Sequence, residues 1–467
     1  MEEQELKKKL TSRHIFFIAL GSAIGTGLFY GAAEGIKLAG PSVLLAYFIG
    51  GIVIFMVMRA LGEMVLYKPI SDSFAGYASN YLSPVFGFIT GWMYVIEMIL
   101  VCLADVTAFS IYMKFWYPGV SPWIWSLGIT LIIGAINLFS VKIFAEVEFF
   151  LTLLKIIAIF LMIAGGCVLL FGNFEGFESS NINNLWINGG FMPNGISGFI
   201  SSFAIVMFAF GGIEIIGLAA GETKNPDKDI PRAINSVPFR ILFFYVLVLG
   251  VILCLFPWNR IGTEGSPFVV IFENLHIEFA AHVLNVVVIV AAISAINSDV
   301  YGAVRMMYGL AKQKQAPSIL TKLTSHSVPI AGISAMIAFL LIGVVLNYFY
   351  HDILFFMIAA IATFVTIWVW LIILFAEFFM RKKMTLEEKQ KLKFRMPFWP
   401  VTPILTILFM FFVIGVLGYF EETRISLLIG ILLVVVLFIS YWLMNKKKQL
   451  LAVKKDEEEV VYLHGND

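Results

Sequence analysis

Uncharged apolar stretches of about 18 residues or more recur along the whole of this 467-residue chain, and each is long enough to cross a hydrocarbon core of about 30 Å as an α-helix. These stretches are apolar on every face, with Leu, Ile, Phe and Val throughout, which excludes the alternating segments of a membrane β-barrel. Twelve spans are expected, at 14–36, 41–63, 84–109, 122–140, 148–171, 198–220, 237–257, 279–310, 329–350, 353–380, 403–420 and 424–444. The predicted fold class is therefore an all-α polytopic membrane protein with 12 transmembrane helices. Composition agrees, because 60% of residues are hydrophobic against about 45–50% in soluble domains.

The cations test that count, since Lys and Arg collect on the cytoplasmic side of short loops. With the N-terminus inside, 27 of the 32 Lys and Arg fall on the cytoplasmic side. Only Lys37, Lys114, Arg260 and Arg424 fall outside, and Lys155 lies within the fifth span. Both termini are thus expected in the cytoplasm of a cell whose plasma membrane holds the chain. Residues 1–13 form a charged cytoplasmic start with no cleavage pattern behind it, so no cleaved signal peptide is expected. The connectors are an extracellular loop at 172–197, a cytoplasmic loop at 381–402 and a cytoplasmic tail at 445–467, and the outer loop and the tail read as solvated. Cys102, Cys167 and Cys254 sit in apolar spans and read as small hydrophobes. No phosphate-binding loop, paired metal ligands or soluble nucleotide-sized domain is present in the sequence, so no nucleotide, nucleic acid, metal or cofactor is expected. An ion gradient or exchange is left as the driving force.

Two spans are interrupted by glycine in corresponding places five helices apart, the first at GSAIGTG (Gly21 to Gly27) and the sixth at FAFGGIE (Phe208 to Glu214). Small residues at such spacing also serve close helix packing. Two clusters at matched positions, each beside polar groups, instead suit a five-plus-five inverted repeat whose broken helices free backbone groups for substrate. The repeats would cover 14–171 and 198–380, with 403–444 as two added helices. After the first break the amides of Thr26 and Gly27 would receive a carboxylate. The carbonyls of Ala23, Phe208 and Gly211 would receive an ammonium, so one site matches both ends of an amino acid.

Ionisable residues inside spans are costly and are functional candidates: Glu97 and Asp105 in the third span, Lys155 in the fifth, Glu214 in the sixth and Asp299 in the eighth. Lys155 lies about 10 Å inside the cytoplasmic end of its helix. Its stem is long enough to snorkel to the headgroups; the alternative is an ammonium buried against the broken first helix, where its protonation can switch. Glu97 suits proton transfer or structural hydrogen bonding, as does Asp105, and Glu214 suits a tether for the sixth-span break. Arg59 with Glu63 reads as an ion pair at a cytoplasmic helix end.

RHIFFIALGSAIGTGLFYG (Arg13 to Gly31), AGPSVLLAY (Ala39 to Tyr47), MRALGEM (Met58 to Met64), AGETKNPDKDIPRAINSVPFRI (Ala220 to Ile241) and SAINSDVYGAVRMMYGLAKQKQAP (Ser294 to Pro317) are similar to the amino acid permeases of the amino acid-polyamine-organocation superfamily, in its bacterial amino acid transporter branch. The resemblance covers nearly the whole chain. It implies alternating access, with substrate held at the two breaks by Ala23, Gly25, Thr26, Gly27, Phe208, Gly211 and Gly212, and an aromatic gate at Phe208. In some relatives a fifth-span lysine matching Lys155 stands where sodium-coupled cousins hold sodium, which implies proton coupling; exchange without net proton flow is also found in the superfamily. DVTAFSIYMKFWYPG (Asp105 to Gly119) and MFAFGGIEIIG (Met207 to Gly217) look most like permeases for proline, with threonine/serine, histidine and alanine/glycine permeases next. The expected function is uptake of a neutral L-amino acid with a proton. An amino-acid exchanger and a non-transporting amino-acid sensor are the alternatives, and no enzyme chemistry is expected.

Overall fold

The computed structural model describes residues 17, 21, 24–68, 74–138, 141–172, 180–219, 225–262, 265–324, 328–350 and 353–464, with the backbone alone for 141–143 and 447–464. Every regular element among them is helical. Among the described residues nine helices are long and apolar enough to cross a membrane, and they fall on the second, third, fifth and seventh to twelfth expected spans. The fourth and sixth spans are the shorter apolar helices Pro122–Asn137 and Gly195–Phe208. Most of the first span before Ile24 lies outside the described residues, so the described helices alone do not close the count of twelve.

The third-span helix Pro84–Lys114 is the centre of the bundle, packing most extensively against Glu278–Lys312 and Leu354–Lys383. Its most apolar stretch is 72% buried, against 6% for Glu421–Lys446. The first is an interior post and the second a peripheral helix facing outward. The seventh span runs from Pro226 to Leu255 and includes a wide π-helical turn at Leu242–Leu247, a form that often marks functional sites. Within that turn the Tyr245 hydroxyl donates to the Ala209 carbonyl at 2.9 Å, which anchors the seventh span to the sixth.

Several connectors differ from their expected solvated form. The fifth-span helix begins at Val141 rather than 148, which places Glu148 inside a buried helix face. In the loop after the fifth span, Asn184 is buried and its amide donates to the Cys254 carbonyl at 2.8 Å, so that part of the loop seals the end of the seventh span. The last helix runs through the expected tail to His464, because residues 445–464 hold no Gly or Pro and many strong helix formers.

The segment after the tenth span is docked. Leu392, Phe394 and Met396 are buried, and the Arg59 guanidinium lies 3.7 Å over the Phe394 ring. Glu63 does not pair with Arg59 as expected. It accepts from the Arg381 guanidinium of the tenth span and from the Met396 amide, while Arg381 Nε also lies 3.2 Å from Glu377. The reason is burial: Glu63 is 1% exposed, and a charge removed from water needs a close bidentate partner. Arg381→Ala should therefore cost about 3–5 kcal/mol of stability, measured as a lower unfolding midpoint in detergent, and the double replacement of Glu63 and Arg381 by apolar residues should restore most of the loss.

Candidate functional site

The two broken spans meet at the centre of the bundle. In the first, Ile24 and Gly25 leave helical geometry and the chain re-enters helix at Thr26–Phe29 and Gly31–Ala39. In the sixth, the helix Phe203–Phe208 gives way to turns over Ala209–Glu214 before Ile215–Ala219 resumes. Gly212 has φ +86°, a left-handed conformation that favours glycine. A Cβ on Gly27 would stand 2.6 Å from the Ala209 Cα, so the contact between the two breaks requires glycine at that position. Thr26, Gly27, Phe208, Gly211 and Gly212 thus share one locality, with Gly25 at its edge. Ala23 lies outside the described residues.

A helix interrupted inside a bilayer must find partners for its freed backbone groups. Lys155 supplies them in the first span. Its ammonium donates to the carbonyls of Gly21 at 2.8 Å and Ile24 at 3.0 Å and to the Ser294 hydroxyl at 3.0 Å. The residue is fully buried, and these three bonds use all the donors of an ammonium. Snorkelling does not describe it. In the sixth span, the Phe208 carbonyl accepts the Gly211 amide at 3.0 Å, and Glu214 accepts from Trp370 Nε1 at 3.0 Å while facing the amides of Gly212 and Glu214 itself.

The third span presents acids to both breaks. Glu97 Oε1 accepts from the Thr366 hydroxyl at 2.6 Å, and its carboxyl contacts that of Glu214. It also lies 3.7 Å from where a Cβ on Gly211 would be, so it lines the sixth-span break. Asp105, two turns on, accepts from the Thr26 hydroxyl and contacts Asp299 of the eighth span.

Glu148 is a site residue that the sequence reading missed. It is fully buried, accepts from Ser294 and from Thr152 at 3.2 Å, and sits in the field of Lys155. Its signal was present, because seven residues separate it from Lys155 and a helix of 3.6 residues per turn puts the two on one face. The expected span simply began at that residue.

One side of the site is closed by rings. Phe208 meets Phe355 edge-on at 5.8 Å, and Tyr30 meets Phe355 at 4.7 Å, Phe356 at 5.4 Å and Tyr112 at 6.2 Å between centroids. Phe208, which is 4% exposed, thus belongs to one ring cluster with Tyr30, Phe355 and Phe356.

The amino acid permease family matches this chain over residues 14–452, a range that takes in both breaks, Lys155 and the docked segment after the tenth span. The chain belongs to that family. The uncharacterized amino acid permease YtnA of Bacillus subtilis is 45% identical over 430 residues, 92% of this chain and 93% of that protein. The probable threonine/serine transporter YbxG of the same organism is 40% identical over 442 residues, 94% and 96% of the two chains. The aromatic amino acid transport protein AroP of Salmonella typhimurium is 41% identical over 409 residues, 87% and 89%. This permease is accordingly a multi-pass membrane transporter and not an enzyme.

Gly27→Ala in the permease forces the two breaks apart and should cost about 1–3 kcal/mol by overpacking, with amino-acid uptake falling alongside. Gly415→Ala, with nothing within 4 Å of its added Cβ, should leave both the unfolding midpoint and uptake near wild type.

Proposed function

We propose that this permease carries a neutral L-amino acid into the cell together with a proton, by alternating access across the plasma membrane with both termini in the cytoplasm. The observation that carries this reading is the buried ammonium of Lys155 bridging the first-span break to the eighth span. It takes the place of a metal cation at the freed carbonyls, and unlike a metal it can lose its charge by losing a proton. In this mechanism Lys155 reports protonation to the first helix, and its hold on Gly21 and Ile24 sets where that helix stands.

Substrate is held between the breaks. Its carboxylate meets Thr26 and Gly27, and its ammonium meets the carbonyls of Ala23, Phe208 and Gly211. Gly25 and Gly212 give the backbone its close approach, Phe208 gates the outer side and Glu214 tethers the sixth-span break. Repeats at 14–171 and 198–380 move relative to each other around this point, with 403–444 outside them. Glu97 is a second proton-carrying candidate beside the sixth-span break. Proline is the first substrate to test, followed by threonine/serine, alanine/glycine and histidine. The names of two relatives, a probable threonine/serine transporter and an aromatic amino acid transport protein, support a side chain without net charge.

Lys155→Ala removes the switchable charge without touching the substrate contacts. It should abolish proton-driven accumulation in proteoliposomes while amino-acid binding by the purified variant remains measurable. Accumulation equal to wild type would rule out this role for Lys155.

A further inference from the structure

Asp105 and Asp299 are 2% and 4% exposed, and their carboxyl groups are in hydrogen-bond contact between the third and eighth spans. A hydrogen bond between two carboxyl groups needs one proton, because an ionised carboxylate only accepts. The remaining negative charge is directed at Thr26, whose hydroxyl donates to Asp105 Oδ1 and whose amide faces the same carboxyl. Asp105 therefore occupies, with its own carboxylate, the donors assigned above to the carboxylate of the substrate.

The surroundings offer little else to neutralise a further anion. Around Asp299 stand Asp105, Tyr94, Glu97 and Cys102 from the third span, Glu148 and Lys155 from the fifth, and Glu214 from the sixth. Lys155 is the one cation in this group, and its field is already shared with Glu148. The Tyr112 hydroxyl, on a side chain 2% exposed and facing Asp105, has no hydrogen-bond partner among the described residues, and neither does Oδ2 of either aspartate. Polar capacity is therefore present beside Asp105 for a carboxyl group that turns away from Thr26.

We propose that Asp105 and Asp299 form the proton-binding pair of this permease, and that the substrate carboxylate takes Thr26 from Asp105 when the pair binds one further proton. The proposal rests on the carboxylate contact at Thr26 given above. The proton comes from the outer solution, forms an O–H bond on the pair and leaves to the cytoplasm when that bond breaks; no electrons move. Substrate and proton then favour each other's binding reciprocally, while Lys155, in the field of both acids, passes the change to the first helix. Asp105 and Asp299 are positioning residues for Thr26 rather than contacts of the substrate's reacting atoms.

The test is the pH profile of amino-acid binding by purified wild type, D105N and D299N, together with proton uptake measured by an indicator dye in weak buffer. Wild type should bind more tightly as pH falls and take up about one proton per substrate bound. D105N frees Thr26 without a proton and should bind with affinity nearly independent of pH. D299N keeps a donor to Asp105 that holds it ionised, so its profile should move to lower pH by about a unit, a tenfold weaker binding at neutral pH. Variants that keep the wild-type profile overturn the proposal, since a structural hydrogen bond would not move it. If neither variant folds, the wild-type measurement decides: amino-acid binding without proton uptake overturns the pair's role. Wild type that binds no amino acid overturns the site reading beneath it, and the proposal with it.

Discussion

A helix broken within a membrane leaves carbonyls that lipid cannot satisfy, and the site depends on how the first-span carbonyls are satisfied here. The Lys155 ammonium takes Gly21, Ile24 and Ser294 together, so one side chain joins the first, fifth and eighth spans. Because the ammonium is fully buried, its charge is balanced only by what the fold brings near, namely Glu148, Asp105 and Asp299. The broken helix, its cation and these acids form one electrostatic unit, and a change of protonation at any member is felt by the others.

The third span is the fixed side of that unit. It is a deeply packed post at the centre of the bundle, and Glu97 and Asp105 project from it to the sixth and first breaks respectively. The two broken spans thus face one helix, each through a carboxyl contact with a further acid, Glu214 or Asp299. The rings of Tyr30, Phe208, Phe355 and Phe356 close over this layer, and the Glu63–Arg381 ion pair holds the docked loop. The ring cluster is apolar, so parting it costs little in hydrogen bonds. The ion pair is buried, and parting it leaves charges unpaired.

What was legible in the sequence follows from how local each signal is. Hydropathy marks membrane helices because every residue of a span contributes to it, and the glycine clusters mark both breaks because a break needs small residues in adjacent positions. Lys155 stood out as a charge in an apolar run. Its partners did not, since Ser294 is 139 residues away and nothing local ties it to the fifth span. Glu148 was lost to a helix boundary, and the contacts of Asp105 with Thr26 and Asp299 depend on packing between spans far apart in sequence. The docking of 392–396 was hidden for a similar reason: the segment read as a polar connector, while the burial of Phe394 and Met396 comes from packing against other parts of the fold.

The most direct test of a proton-driven permease is uptake of radiolabelled neutral amino acids, proline first, into proteoliposomes holding the wild-type protein, with an imposed inward proton gradient and with or without unlabelled amino acid trapped inside. Accumulation above equilibrium that follows the gradient with empty vesicles is the expected result. Uptake that appears only when amino acid is trapped inside would contradict it, making the chain an exchanger and removing the proton role of Lys155.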